Sequence, residues 1–231
     1  MNLEINPPLI IFGRGVKKTC IGVKRIVVLI CCCLLALPVT SRAQEVPEGW
    51  EFGGWEFFEV YHDFGNSPFF GSFYFEHDNY HYKYFDNCYT RTILGVKILP
   101  WLKADVGYDF VVEPSVLKHK LLLDLTGTLK SGNFKVSLRQ RYLHTWLHSG
   151  GPQDNELRSR LKVQYDVPGT RWSPYLAMEV ISWGQWRKTR HYVGSHYNFN
   201  SWLQLETYYI YYTHRDKPAQ HILGIGLNFN F

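Results

Sequence analysis

Six basic side chains recur at even spacing in two neighbouring stretches, Lys135, Arg139 and Arg141 in the first and Arg158, Arg160 and Lys162 in the second. Residues two apart on an extended chain share a face, so each stretch carries a one-sided row of cations. Four acids, Asp124, Glu156, Asp166 and Glu179, fall on the same face of these or flanking stretches. An excess of guanidinium and ammonium groups would attract anions. A balanced set would instead pair internally and fill space as a polar plug. Both arrangements remain open at this level.

Two other groups have the residue types for chemistry but not the spacing. His77, Asp78, His81, Asp86 and Cys88 are close in sequence, yet match no standard metal-ligand pattern and read as a surface loop, so no metal site is assigned. A hydrolase that works on lipid from a strand needs its nucleophile and base two residues apart, on one face. No His-x-Ser occurs. His148-Ser149 and Ser195-His196 are adjacent, which puts each pair on opposite faces of a strand. His144 facing Ser159 across neighbouring strands is the remaining arrangement for an outer-membrane lipid-modifying hydrolase. No catalytic residue and no cofactor is assigned.

The elements that must position these residues are strands. In the last twelve residues, Leu223, Ile225, Leu227, Phe229 and Phe231 alternate with Gly224, Gly226, Asn228 and Asn230, and Ile222 is the one apolar residue on the polar side. An apolar face opposite a small, polar one fits a strand between lipid and an aqueous lumen. A chain that ends on an aromatic residue in such a strand resembles the terminal assembly signal of bacterial outer-membrane barrels, here Leu227, Phe229 and Phe231. The same alternation runs upstream. Leu121, Leu123, Leu125 and Leu129 oppose Lys120, Asp124, Thr126 and Thr128; Leu157, Leu161 and Val163 oppose Arg158, Arg160 and Lys162.

Turn signals such as Ser131-Gly132-Asn133 and Pro168-Gly169-Thr170 separate these runs. The reading gives eleven strands of about eleven residues each, long enough to cross a bilayer at barrel tilt. Because bacterial barrels are usually even-numbered, the expectation is an all-β antiparallel transmembrane barrel of about twelve strands, within 10–12. Two details belong to it. Asp78 to Asp86 reads as a polar loop, and Glu56 and Glu59 fall on opposite faces of the first strand, which suggests a bulge. Trp55, Trp101, Tyr142, Trp146, Trp172, Trp183, Trp202 and Tyr211 lie near strand ends, as an interfacial girdle would.

The first 43 of the 231 residues read as a secretory leader. Lys17, Lys18, Lys24 and Arg25 precede an apolar run from Ile26 to Leu37, too short to span a bilayer. Pro38 ends the run, and Ser41-Arg42-Ala43 suits cleavage before Gln44. The barrel is therefore expected over residues 44–231. The formal net charge of +5 belongs to the leader: removing it takes away six basic residues and one acid and leaves 19 of each sign. The basic balance thus says nothing about nucleic acid. Four of the five cysteines also lie in the leader, leaving Cys88 without a disulfide partner.

From about Phe134 onward the chain resembles a family of Gram-negative bacteria, the domain of unknown function 2490. The carriers are Arg139-Gln140-Arg141-Tyr142, Leu157-Arg158-Ser159-Arg160-Leu161-Lys162-Val163-Gln164-Tyr165, Trp172-Ser173-Pro174-Tyr175 with Glu179, and His221-Ile222-Leu223-Gly224-Ile225. Phe52-Gly53-Gly54-Trp55 resembles the family's opening strand. Gln164 departs from the pattern, where an acid is expected before the tyrosine. The resemblance implies an outer-membrane β-barrel and no activity. The functional expectation is a narrow channel or scaffold barrel, not an enzyme, with a charged, Arg-rich lumen. Its partners would be outer-membrane lipid, the barrel-assembly machinery and small anionic solutes.

Overall fold

The computed structural model describes residues 51–231; the leader reading lies outside them. The described chain forms eleven strands: β1 Phe52–Asp63, β2 Phe69–Tyr80, β3 Tyr84–Leu99, β4 Leu102–Val112, β5 Leu117–Ser131, β6 Phe134–Leu147, β7 Asp154–Tyr165, β8 Trp172–Trp183, β9 Gln185–Asn198, β10 Leu203–His214 and β11 Gln220–Asn230. Each pairs with its sequence neighbours, and β1 pairs with β11, so the sheet closes into a barrel.

That closure corrects the expected count. A twelfth strand was inferred from parity, but β1 and β11 run parallel, from Phe52↔His221 to Tyr61↔Asn230. An odd number of up-and-down strands leaves the first and last pointing the same way. A parallel ladder satisfies their backbone groups internally as an antiparallel one would, so no further strand is needed. Asp63 N donates to Phe231 O at 3.0 Å and Phe231 N to Tyr61 O at 2.9 Å, which extends the seam to the last residue.

The side chains sort as their alternation requires. Leu94, Leu123, Leu129, Leu138, Leu161, Leu176, Val193, Leu223 and Ile225 lie exposed on the outer face. The alternate positions turn inward. Gly224 and Gly226 have an inward use of their own: the rings of Tyr208 and Phe57 lie where a Cβ on these residues would stand. Glycine thus lets an aromatic ring lie close against the wall.

Two local readings change. The span 78–86 is not a loop: β2 and β3 continue through most of it, with a register shift at Asp78/Asn79, and only 81–83 turn. His81 and Tyr82 hold φ of 51° and 55°, the left-handed conformation of a tight hairpin normally signalled by Asn-Gly. Each L-residue there costs about 1–2 kcal/mol. Replacing them as His81→Asn and Tyr82→Gly should therefore raise the unfolding midpoint in a urea titration; an unchanged or lower midpoint would contradict the strain. The suggested bulge in β1 is absent. Its register is unbroken on both sides, with Glu56 outward against His77 at 3.0 Å and Glu59 inward among the cavity-lining residues.

Turns 64–68, 100–101, 132–133, 166–171 and 199–202 share one rim with Phe231, called here the C-terminal rim. Turns 81–83, 113–116, 148–153, 184 and 215–219 form the opposite rim, where β1 begins.

Candidate functional site: a charged lumen

The inward faces enclose a cavity of about 580 Å³, lined wholly from the strands. Its lining carries nine Lys and Arg side chains against six Asp and Glu, an excess of three cations. Near the C-terminal rim the wall is Lys103, Thr128, Lys135, Gln164, Gln204, Asn228 and Asn230.

Deeper in, the charges meet. Arg141 grips Asp124 from the neighbouring strand, with Nε–Oδ1 at 2.7 Å and Nη2–Oδ2 at 2.5 Å. Glu179 receives Arg139 at 2.8 Å and Arg190 at 3.2 Å. Arg91 holds Asp109 with two bonds of 2.7 and 2.8 Å, and Arg158 holds Glu156 at 2.5 Å. Asp109, Asp124, Arg141 and Glu179 are all buried. These are charge-assisted, mostly forked bonds, the arrangement that offsets the desolvation of buried ions.

Toward the opposite rim the inward positions mix aliphatic and charged residues: Leu143 faces Glu156, and Ile181 faces Arg158 and Lys188. Two residues on from Asp109, Asp124, Arg141 and Glu179 stand Val111, Leu122, Leu143 and Ile181. Leu122 faces Leu143 across β5 and β6, and Ile210 faces Ile222 across β10 and β11. Leu122 and Leu143 are 1% exposed, and Ile181, Ile210 and Ile222 are 0% exposed. Trp55 and Tyr212 pack with Ile210 and Ile222 in one buried cluster, and Tyr80 is buried as well. None of the aliphatic members lines the cavity. The lumen is thus a vestibule whose polar wall runs to the C-terminal rim, with a floor of ion pairs and, behind it, buried aliphatic residues standing among further charged ones. Ile222, the exception in the terminal strand's alternation, is part of the buried cluster with Ile210, Trp55 and Tyr212.

Of the ten charges singled out from the sequence, eight line the vestibule, Asp124, Lys135, Arg139, Arg141, Arg158, Arg160, Lys162 and Glu179, and Glu156 joins them through its pair with Arg158. Arg160 has no carboxylate partner within ion-pair distance among the described residues and lies 4.5 Å from the Tyr192 ring. Asp166 does not join the network. It sits in the 166–171 turn, where hydrogen bonds from Gln164, at 2.8 Å, and Ser173 hold its carboxyl below its ordinary pKa. The sequence argument missed Arg91, Lys103, Asp105, Asp109, Arg190, His196 and Glu206. Their signal was present, since each occupies the inward parity of its strand, but it is diluted by single charges spread over separate strands.

Trp55 leaves the expected girdle: it faces inward, with the Arg190 guanidinium 5.0 Å from its ring. Trp101, Trp172 and Trp183 are exposed near strand ends. Phe229 and Phe231 of the terminal segment stack on Trp202, each at 6.4 Å, and Leu227 is exposed on the outer face.

The two remaining constellations are separated by the register. His144 faces Asn155, whose Oδ1 lies 2.8 Å from Nδ1, while Ser159 faces Gln140 and donates to it at 2.6 Å. Four strand residues, roughly 13 Å, separate the serine from the histidine. Ser195 and His196 point to opposite faces, and His148 lies 3.1 Å from His119. In the His77–Cys88 stretch, His77 turns outward to Glu56 while Asp78 binds Asn87 at 2.9 Å. Among the described residues no three His, Cys, Asp or Glu come together as a metal site.

No curated protein matches the chain. A solved structure described as "KdgM porin" is similar to it, at 12% sequence identity and a TM-score of 0.46, over 67% of this chain and 81% of that one. A family model described as "Protein of unknown function (DUF2490)" matches residues 52–221, most of the described barrel from its first strand to its last, and the chain therefore belongs to that family.

Proposed function

We propose that this chain is a porin-like barrel of the bacterial outer membrane whose lumen is shut in its resting state. In this reading residues 1–43 are the export leader. The observation that carries the shut state is burial: five inward aliphatic side chains at 0–1% exposure lie beyond the cavity lining, and in this reading they form a septum across the lumen. Membrane placement is supported by the outer face, where leucines stand exposed on strand after strand around a closed sheet with no free edge. If Phe231 faces the periplasm, as a terminal assembly strand does, the vestibule opens there.

The aliphatic septum suits closure physically. Ions crossing it would lose hydration without receiving polar partners, as in hydrophobic gates that work by dewetting. The excess of cations in front of it favours anions whenever the septum yields. The test is current across a planar bilayer. Wild-type barrels should show no steady conductance, and Leu122→Gly with Ile210→Gly should create small steps with a reversal potential on the anion side in a salt gradient. Steady wild-type conductance, or a cation-selective opened variant, would overturn the proposal.

A further inference from the structure

We infer that the vestibule binds a small molecule in which an oxyanion, carboxylate or phosphate, is attached to a flat apolar ring. The inference rests on the shut, one-ended lumen proposed above and names the ligand class that would occupy it.

The first observation is a like-charge conflict. Arg139 and Arg160 stand directly opposite each other on β6 and β7, one step from a second such pair, Arg141 and Arg158. Like charges at directly paired positions destabilise a sheet. The second pair is neutralised one for one, by Asp124 and Glu156. The first pair is not. Arg139 shares Glu179 with Arg190, and Arg160 has no carboxylate within ion-pair distance among the described residues. Lys162 nearby is 3.8 Å from Glu206, and Lys135 has no ion-pair partner among the described residues.

The second observation concerns hydrogen bonds. The Nε groups of Arg139 and Arg160 are buried and unpartnered. Buried donors are nearly always satisfied, and those left over at a cation pair point to an absent acceptor. One oxyanion between the two guanidinium groups would accept from both and neutralise the surplus.

The third is what stands beside the pair. A row of aromatic rings starts at Arg160: its guanidinium lies 4.5 Å from Tyr192, Tyr192 meets Tyr208 edge-on at 6.0 Å, and Tyr208 stacks on Phe57 at 6.1 Å. All three rings line the cavity. Tyr208 and Phe57 lie over Gly224 and Gly226, in the space a Cβ there would take, and the two rings stack on each other. A ligand anchored by its oxyanion at Arg139 and Arg160 would lay its ring on this row.

The experiment is isothermal titration of the purified full chain in detergent micelles. Its probes are phenyl phosphate, benzoate, inorganic phosphate and phenol. Phenyl phosphate or benzoate should bind at least tenfold more tightly than inorganic phosphate, and phenol should give no heat. Whichever of the first two binds more tightly assigns the oxyanion. Arg160→Gln should weaken that binding at least tenfold, and Arg160→Lys, which keeps the charge and loses the fork, should weaken it less. Arg187→Gln, at the opposite rim against Asp154, should leave it unchanged. Faster migration of unboiled protein on a denaturing gel confirms that each variant is folded, and Arg160→Lys serves if Arg160→Gln is not. Equal binding by wild type and a folded Arg160 variant, or equal binding of phenol, would overturn the inference. A wild type that conducts yet binds in an Arg160-dependent way would overturn the shut lumen and leave this site standing. A non-conducting barrel that binds none of the probes would overturn the site alone.

Discussion

Glu179→Gln should lower the stability of the barrel by about 3–5 kcal/mol, the usual consequence of leaving buried charge uncompensated. Glu179 is 1% exposed and accepts from both Arg139 and Arg190. Its register partners on β7 and β9 are Arg160 and Arg190. Glutamine keeps the volume and one acceptor but removes the only negative charge these guanidinium groups share. The measurement is a urea midpoint in micelles, followed by the loss of the fast-migrating unboiled band. Adding Arg139→Gln should recover part of the loss, because one of the orphaned cations is then gone, and the two effects should be non-additive as expected for neighbours. An unchanged midpoint in the single variant would mean that the ion-pair floor does not hold the barrel together.

Leu176→Arg should destabilise the barrel in lipid vesicles by about 2–4 kcal/mol if the residue lies near the bilayer midplane. Leu176 is 62% exposed on the outer face of β8, between the outward Pro174 and Met178. The sign of this result separates two environments. In water, an arginine replacing an exposed leucine gains hydration and leaves stability within about half a kcal/mol. In lipid, the same change places a charge where nothing solvates it. Unfolding free energies of wild type and variant, compared in vesicles, decide the matter. A neutral or stabilising effect would place the outer face in water and remove the ground for an outer-membrane barrel.

The lumen charges were readable from the sequence as a set and not as pairs. Arg139 and Arg141 are equivalent by alternation: both are inward, on one strand, two residues apart. Yet Arg141 is matched with its own carboxylate while Arg139 shares one and faces the unmatched Arg160. Which of the two has a surplus depends on the registers of β5, β7, β8 and β9, and no local pattern encodes these. Asp166 shows the reverse error. Its parity matched the cluster, but the strand ends at Tyr165, and the turn's own hydrogen bonds claim the carboxylate.

What the sequence determined by itself is what a period of two can carry: the strands, the apolar outer face, the polar inner one and hence a closed barrel. Alternation is a property of a single strand's geometry, so it survives without knowledge of any neighbour. The tertiary structure decided three things. It closed eleven strands through a parallel seam, because the direction of β1 relative to β11 is a property of the whole circuit. It turned Trp55 from the outer girdle into the lumen. It also buried Leu122, Leu143, Ile181, Ile210 and Ile222 on the inner side of the barrel. Each of these is an ordinary aliphatic residue on its own strand, and only the closure of the sheet encloses them, because burial is a property of the whole circuit.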